Sequence, residues 1–152
     1  MVTSNRQMQL KKVLVTVGGT SVDEEALKLA CKLIKSEKGK VYITYVIQVD
    51  RTLPLEAEVE AEIRQGEEVL TQAEIIVENQ DCEAEIDLLQ ARDIGAAVVD
   101  EAAERDIDLI MIGRSYKKEF GEFSLGKIVP YVLKNAPCWV IIFQEPMPRE
   151  VQ

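Results

Sequence analysis

Short apolar segments alternate along the chain with longer segments whose apolar residues recur at helical spacing. Lys12–Val17 and Lys40–Val49 are runs rich in β-branched residues and predict two strands. Three more strands are predicted at Glu83–Leu89, Asp108–Ile112 and Trp139–Phe143. Strands that alternate with helices predict an α/β fold, in which right-handed crossovers build a parallel sheet covered by helices on both faces.

The second of the four predicted helices is long and is expected to follow Pro54 directly. One of its faces is acidic and should be solvated. Its apolar face comprises Leu55, Val59, Ile63, Leu70, Ala73 and Val77.

Capping and proline residues predict where the last two helices begin. Asp93 suits the N-cap of the third helix. The fourth is predicted over Leu125–Lys134 and should start close to Gly126, because Pro130 is tolerated near a first turn and damages a helix interior. Lys127 would then lie in the first turn, where the helix dipole disfavours a cation by about 0.3–1 kcal/mol unless an anion is present.

Size and charge favour a single soluble domain. The chain has 152 residues and a formal net charge of −9, spread through the helices, which argues against nucleic acid or an anionic membrane as a partner. No apolar run approaches the roughly 18 residues that a membrane span needs. We expect a cytoplasmic protein with its domain at 11–145, between flexible segments at 1–10 and 146–152.

Reactive side chains give little support for catalysis. The chain has no histidine, so the commonest general base is missing. The acidic run Asp23–Glu25 is expected to interact with the dipole of the first helix. Cys31, Cys82 and Cys138 are odd in number and far apart in sequence, which suits reduced thiols and gives no metal spacing. We therefore predict no catalytic residues, no metal and no required cofactor, with slow nucleotide hydrolysis left open.

The best indication of a binding site is a pair of glycine-containing loops. Gly113 follows the fourth strand, and Gly126 follows at a spacing that suits a phosphate-cradling loop running into a helix. Gly18 and Gly19 follow the first strand. Because ligands of such sheets lie beyond the carboxyl ends of the strands, both loops should face one crevice between strands one and four.

The chain resembles the universal stress protein family from about Lys11 to Phe143. The resemblance rests on Ile43–Val46 (ITYV), Asp108–Gly113 (DLIMIG) and Asn135–Ile142 (NAPCWVII). It implies a five-stranded parallel sheet in the order 3-2-1-4-5, sandwiched between helices as in adenine-nucleotide-hydrolase-like and flavodoxin-like doubly wound folds. It also implies a homodimer joined through the last strand and, in some members, ATP bound in the crevice.

The ATP-binding branch of that family carries G-x2-G-x9-G-[ST] after strand four and an aspartate at the end of strand one. Gly113 and Gly126 match the outer glycines, whereas Tyr116 and Lys127 replace the second glycine and the hydroxyl residue, and Gly18 stands in place of the aspartate. Losing a charged hydrogen bond of about 1.5–3 kcal/mol weakens binding roughly tenfold or more. The resemblance thus implies a non-catalytic stress-response or regulatory module that binds ATP weakly or not at all.

A sensor of ATP, AMP or another phosphorylated ligand, such as a cyclic dinucleotide, is the alternative. Arg114–Tyr116 would then form an anion clamp, and a bound phosphate would offset the unfavourable interaction of Lys127 with the helix dipole. Otherwise the clamp residues form an ordinary surface loop, and Lys127 pairs with Glu119 or Glu122 or points into water. The candidate ligand-binding residues are Val17, Gly18, Gly19, Thr20, Val46, Gly113, Arg114, Ser115, Tyr116, Gly126, Lys127 and Ile128.

The two edge strands of this order differ in charge. Strand three carries Glu83, Glu85 and Asp87, which discourage pairing with another chain, and strand five has no such charges. We predict a two-fold dimer through strand five; in the alternative, helices cover its faces and water solvates its edge. The predicted interface residues are Trp139, Val140, Ile141, Ile142 and Phe143. Three dispersed aromatic residues are expected in the core or interface: Tyr42, Tyr45 and Trp139.

Overall fold

The computed structural model describes residues 9–115 and 123–147. Five parallel strands form one sheet in the order β3-β2-β1-β4-β5. The strands are β1 (Lys12–Thr16), β2 (Lys40–Gln48), β3 (Glu83–Ala91), β4 (Leu109–Arg114) and β5 (Trp139–Gln144). The predicted α/β class and strand order are confirmed.

Helices cover both faces of the sheet. They are α1 (Asp23–Ile34), α2 (Glu60–Glu78), α3 (Ile94–Glu104) and α4 (Phe123–Asn135), and a 3₁₀ turn, Lys35–Glu37, follows α1. Side chains of β1 alternate between two apolar clusters: Val13 and Val15 pack with α1 and α2, whereas Leu14 packs with α3 and α4. The period of two along a buried strand therefore builds a core on each face.

The second helix begins later than the sequence predicted. It starts at Glu60, so Leu55 and Val59 precede it, and Leu55 is exposed. The carbonyl oxygen of Leu55 instead accepts a hydrogen bond from Gln90 Nε2 on β3, at 3.0 Å. An Asx turn at Asp50 also orders this connection, because one of its carboxylate oxygens accepts from the amide nitrogen two residues later at 2.8 Å. Tertiary and local hydrogen bonds outweigh the helical pattern here.

The fourth helix begins earlier than predicted. It starts at Phe123, which makes Pro130 an interior residue and places Lys127 beyond the first turn. The prediction that Lys127 lies in the first turn, where it would interact unfavourably with the helix dipole, is therefore wrong. A proline removes the hydrogen bond to the carbonyl four residues earlier, here that of Gly126. Gly126 is exposed, so water can reach the carbonyl and the helix continues past the proline.

Acidic side chains of β3 take part in an ion-pair network. Glu85 pairs with Lys40 at 2.8 Å and also with Arg105, and Arg105 lies 3.2 Å from Asp87. These carboxylates point to the α3 side of the sheet, where Arg105 stands at the end of that helix. Ile86, on the opposite face, is 37% exposed, whereas Ala84 and Leu88 on that same face pack against the α1–α2 cluster.

Aromatic residues occupy three different settings. Tyr42 is half-buried, and its ring centroid lies 5.4 Å from Lys40 Nζ and 5.6 Å from the guanidinium carbon of Arg105. Tyr45 packs against the α1–α2 cluster. Trp139, at the start of the edge strand β5, is 57% exposed and so is not a core residue. The prediction that Trp139 lies at an interface stays a prediction.

Candidate functional site

The strand before the predicted phosphate loop is longer than expected. Gly113 and Arg114 belong to β4, where they pair with Phe143 and Gln144 of β5. A Cβ atom on Gly113 would lie 3.0 Å from Val22 Cγ1. Because Gly113 has no side chain, the strand can approach the start of α1 closely. The sequence interpretation had assigned this glycine to ligand binding.

The loop after β1 uses its anion-binding groups internally. Asp23 Oδ2 accepts hydrogen bonds from the backbone N–H groups of Gly19 at 2.8 Å and Thr20 at 3.2 Å, and Asp23 Oδ1 accepts from the Thr20 hydroxyl at 3.2 Å. Burial raises the pKa of Asp23, and the hydrogen bonds oppose that rise. The donors predicted for a phosphate therefore already bind a carboxylate of the chain.

A second carboxylate lies at the same end of the sheet. Glu145, directly after β5, accepts hydrogen bonds from the hydroxyl of Ser21 at 3.0 Å and from that of Ser115 at 3.2 Å. Its backbone N–H donates to Arg114 O at 2.8 Å, which extends the β4–β5 pairing. Ser115, a predicted anion-clamp residue, is thus bonded to an anion that the chain itself supplies.

One cleft lies on the α3–α4 face, at the carboxyl ends of β2 and β3. Its volume is about 220 Å³, below the roughly 300–1,000 Å³ of typical small-molecule sites. The lining residues are Gln48, Asp93, Ile94, Gly95, Ala96, Lys127, Ile128 and Tyr131. Of these, Lys127 and Ile128 were predicted and the others were missed.

The missed residues had a signal in the sequence. Gln48 lies at the carboxyl end of predicted strand two and Asp93 follows predicted strand three, so both belong to the end of the sheet where the glycine loops lie. Asp93 occupies the N-cap position of α3 as predicted, but its side chain makes no capping hydrogen bond. A Cβ on Gly95 would lie 3.2 Å from Tyr131, so this glycine allows α3 and α4 to pack closely.

Gly19 and Thr20 line a different cleft, of about 350 Å³, between α1 and α2. Its walls combine the carboxylates of Asp23, Glu24 and Glu68 with apolar side chains. This cleft and the one containing Lys127 lie on opposite faces of the sheet. The candidate residues of the two predicted loops therefore do not share either cleft.

The other candidate residues have mixed positions. Val17 is buried in the α1–α2 cluster, and Val46 is half-buried against the α3–α4 cluster. Gly18 is exposed, as is Gly126, and a Cβ on Gly126 would meet no atom within 4 Å. Three residues of the predicted site lie outside the described part of the chain: Tyr116 and the two suggested partners of Lys127, Glu119 and Glu122.

Within residues 9–115 and 123–147, no group of three or more histidine, cysteine or acidic side chains is arranged to hold a metal ion. None of the helices in these same ranges has both the length and the apolar character needed to cross a bilayer.

Comparison with known proteins decides the family. The model of the universal stress protein family matches residues 9–144. The chain belongs to that family. A universal stress protein of Methanocaldococcus jannaschii is 27% identical over 148 residues, which cover 93% of this chain and 86% of the relative.

Solved structures of universal stress proteins share the fold. One from Archaeoglobus fulgidus, determined in complex with dAMP, has a TM-score of 0.69 and 22% identity, covering 89% of this chain and 98% of its own. A family protein from Arabidopsis thaliana with AMP bound has a TM-score of 0.61 and 17% identity, covering 90% and 92%. At these sequence identities, the similarity shows a shared fold and nothing further.

Proposed function

We propose that this universal stress protein is a non-catalytic, homodimeric stress-response or regulatory module that binds nucleoside triphosphates weakly or not at all. The proposal is carried by one observation. The donors that face the crevice from the β1 loop and from the end of β4 are bonded to two carboxylates of the chain, those of Asp23 and Glu145.

These carboxylates oppose phosphate binding in two ways. A phosphate must displace Asp23 from the amides of Gly19 and Thr20 before it can use them. It must also approach two negative charges at close range, and like charges repel strongly where water is partly excluded. The substitutions at Gly18 and Lys127 act in the same direction, because they remove residues that the ATP-binding branch of the family uses.

Calorimetry and thermal shift with ATP and AMP test this proposal. We expect no measurable stoichiometric binding of ATP by the unmodified chain. Asp23→Ala frees two backbone amides and removes a charge, so it should strengthen binding of phosphorylated ligands about tenfold, since about 1.4 kcal/mol is a factor of ten. Glu24→Ala is the matched control, because it removes the same charge from an exposed neighbouring position. Tight binding of ATP by the unmodified chain would contradict the proposal.

A gain-of-function variant tests the motif itself. Gly18→Asp combined with Tyr116→Gly and Lys127→Ser restores the residues that the ATP-binding branch carries. We expect this triple variant to bind ATP more tightly than the parent chain. An unchanged affinity would mean that the motif positions are not what weakens binding.

A sensor of an adenine nucleoside monophosphate is the second candidate. It is favoured by the family members solved with dAMP and AMP, and by the α3–α4 cleft, where Lys127 offers a cation and Tyr131 an aromatic ring. A thermal shift with AMP that disappears in Lys127→Ala, but not in Lys134→Ala on the same helix, would support it. A cyclic dinucleotide belongs in the same screen.

The homodimer is proposed through β5. This strand is one edge of the sheet, Trp139 is 57% exposed, and Ile141 and Ile142 are only partly buried on their two faces. An isologous partner would cover this open apolar edge. Ile141→Lys should give monomer or insoluble protein by light scattering, and an unchanged dimer would exclude this interface. Release of phosphate from ATP tests the non-catalytic part of the proposal.

A further inference from the structure

Two cysteines that are 51 residues apart in sequence meet at the end of the sheet opposite the glycine loops. Cys31 lies on α1, and Cys82 lies just before β3. Cys82 Sγ lies 3.9 Å from Cys31 O and 3.7 Å from Gln80 O. Both side chains pack into the α1–α2 cluster, so the surrounding core holds the two residues next to each other.

The two thiols differ in access. Cys31 is 1% exposed. Cys82 is half-buried and lines a cleft of about 180 Å³ together with Lys35 and Lys38. A small oxidant can therefore reach Cys82 and cannot reach Cys31 directly. Asp81 and Glu83 line the same cleft, so two acidic and two basic residues surround Cys82.

We propose that Cys31 and Cys82 form an intramolecular disulfide when the chain meets a small disulfide of the glutathione type, with Cys82 reacting first. The Cys82 thiol loses its proton, and its sulfur attacks one sulfur of the small disulfide, whose S–S bond breaks and releases one small thiol. Cys31 then loses its proton and attacks the Cys82 sulfur, which releases the second small thiol. Two protein thiols are oxidised to one disulfide, and one small disulfide is reduced to two thiols.

The electrostatics of the pair agree with this order. Burial, together with the neighbouring Cys82 thiol, raises the pKa of Cys31 to about 12, whereas Lys35 opposes that rise. Once Cys82 is held in a mixed disulfide, it no longer carries an ionisable thiol, and its part of that rise disappears. The Cys31 thiol therefore keeps its proton until Cys82 has reacted, and it then loses that proton more easily.

Cys138 provides an internal comparison. It packs on the other face of the sheet, against the α3–α4 cluster. Burial raises its pKa, and the negative charge of Asp108 contributes in the same direction. Cys138 should therefore stay reduced under conditions that oxidise the other two cysteines.

Treatment of the full chain with glutathione disulfide tests the proposal. Remaining thiols are then alkylated, and the protein is analysed by intact mass and by a non-reducing peptide map. We expect the loss of two hydrogens without a retained glutathione, one cross-linked peptide pair that contains Cys31 and Cys82, and an alkylated Cys138. Three alkylated cysteines, a glutathione that stays on Cys82, or a cross-link to Cys138 would each overturn the proposal.

Single variants separate the two steps. Cys31→Ala should hold glutathione on Cys82 as a stable mixed disulfide, because the second thiol is missing. Cys82→Ser should leave Cys31 unmodified, because the oxidant cannot reach it. Cys138→Ser should form the same disulfide as the parent chain. Fast modification of Cys31 in the Cys82→Ser variant would show that the proposed order is wrong.

Discussion

Replacement of Glu101 by glutamine should stabilise the protein at neutral and alkaline pH. Glu101 lies on α3 and is only 7% exposed. Its Oε2 is 3.3 Å from Arg105 Nε but makes no hydrogen bond within the described part of the chain. Burial, together with a hydrogen bond to Asp87, raises the pKa of Glu101 from 4.5 to about 7, even though Arg105 acts in the opposite direction. The buried site therefore favours the neutral carboxyl group.

The sign and size of the effect follow from linkage. The folded chain holds the Glu101 proton to a higher pH than the unfolded chain, so this stabilisation is fully present below about pH 4.5 and is lost as the pH rises through about 7. The shift corresponds to about 3 kcal/mol, because one pKa unit is worth about 1.4 kcal/mol. Asp87 and Arg105 both interact with Glu101, so the shift reflects more than burial alone and about 3 kcal/mol is an upper limit.

Urea unfolding at about pH 5.5 and about pH 8.5 measures this contribution. Glutamine keeps the shape of the side chain and never ionises. We expect the unfolding free energy of Glu101→Gln to exceed that of the parent chain at the higher pH, with a gap that narrows as the pH falls. Glu104→Gln, at an exposed position on the same helix, controls for the general loss of one negative charge.

Two results would refute this reasoning. A difference between Glu101→Gln and the parent chain that does not change with pH would mean that the group does not titrate in this range. A variant that is less stable than the parent at pH 8.5 would mean that ionised Glu101 gains more from Arg105 than burial costs.

Three further predictions concern stability and are measured by thermal or urea unfolding. Gly126→Ala should stabilise by roughly 0.5–1 kcal/mol, because a Cβ there meets open space inside a helix and alanine is the better helix former. Gly66→Ala should destabilise the protein, although alanine is also the better helix former there. Its Cβ would lie 2.7 Å from a side-chain atom of β3 and 2.8 Å from one of β2. A stabilised variant would mean that these neighbours move aside. Oxidation of Cys31 and Cys82 to a disulfide should raise the unfolding free energy by about 4 kcal/mol on the chain-entropy model, and an unchanged midpoint in the cross-linked form would argue for native-state strain.

At the glycine loops, the structure adds the groups that the glycines contact. Gly113 was predicted to belong to a phosphate-cradling loop. The group next to it in the structure is Val22 of the same chain, 3.0 Å from the position that a Cβ would take. Likewise, the amides of Gly19 and Thr20 do bind an anion, but the anion is the Asp23 carboxylate. The local sequence shows that hydrogen-bond donors are present in the loop. It does not show which acceptor binds to them.

Charges on β3 show the same limit. The strand predicted at Glu83–Leu89 is present, and its acidic residues were expected to discourage pairing with another chain. Arg105 and Lys40 reach these carboxylates from distant parts of the chain, because the crossover through α3 and the pairing with β2 bring them there. The acidic positions therefore form ion pairs with residues that are distant in sequence.

The strands and helices, their parallel arrangement and the family could be predicted from the amino-acid sequence, because hydrophobic periodicity and short motifs are local properties of the chain. Which groups meet across the sheet became known from the folded structure. Cys31 with Cys82, Asp87 with Arg105, and Glu145 with Ser21 are contacts between residues far apart in sequence. Such pairs depend on side-chain direction and on the packing of helices against strands, and no local pattern encodes them.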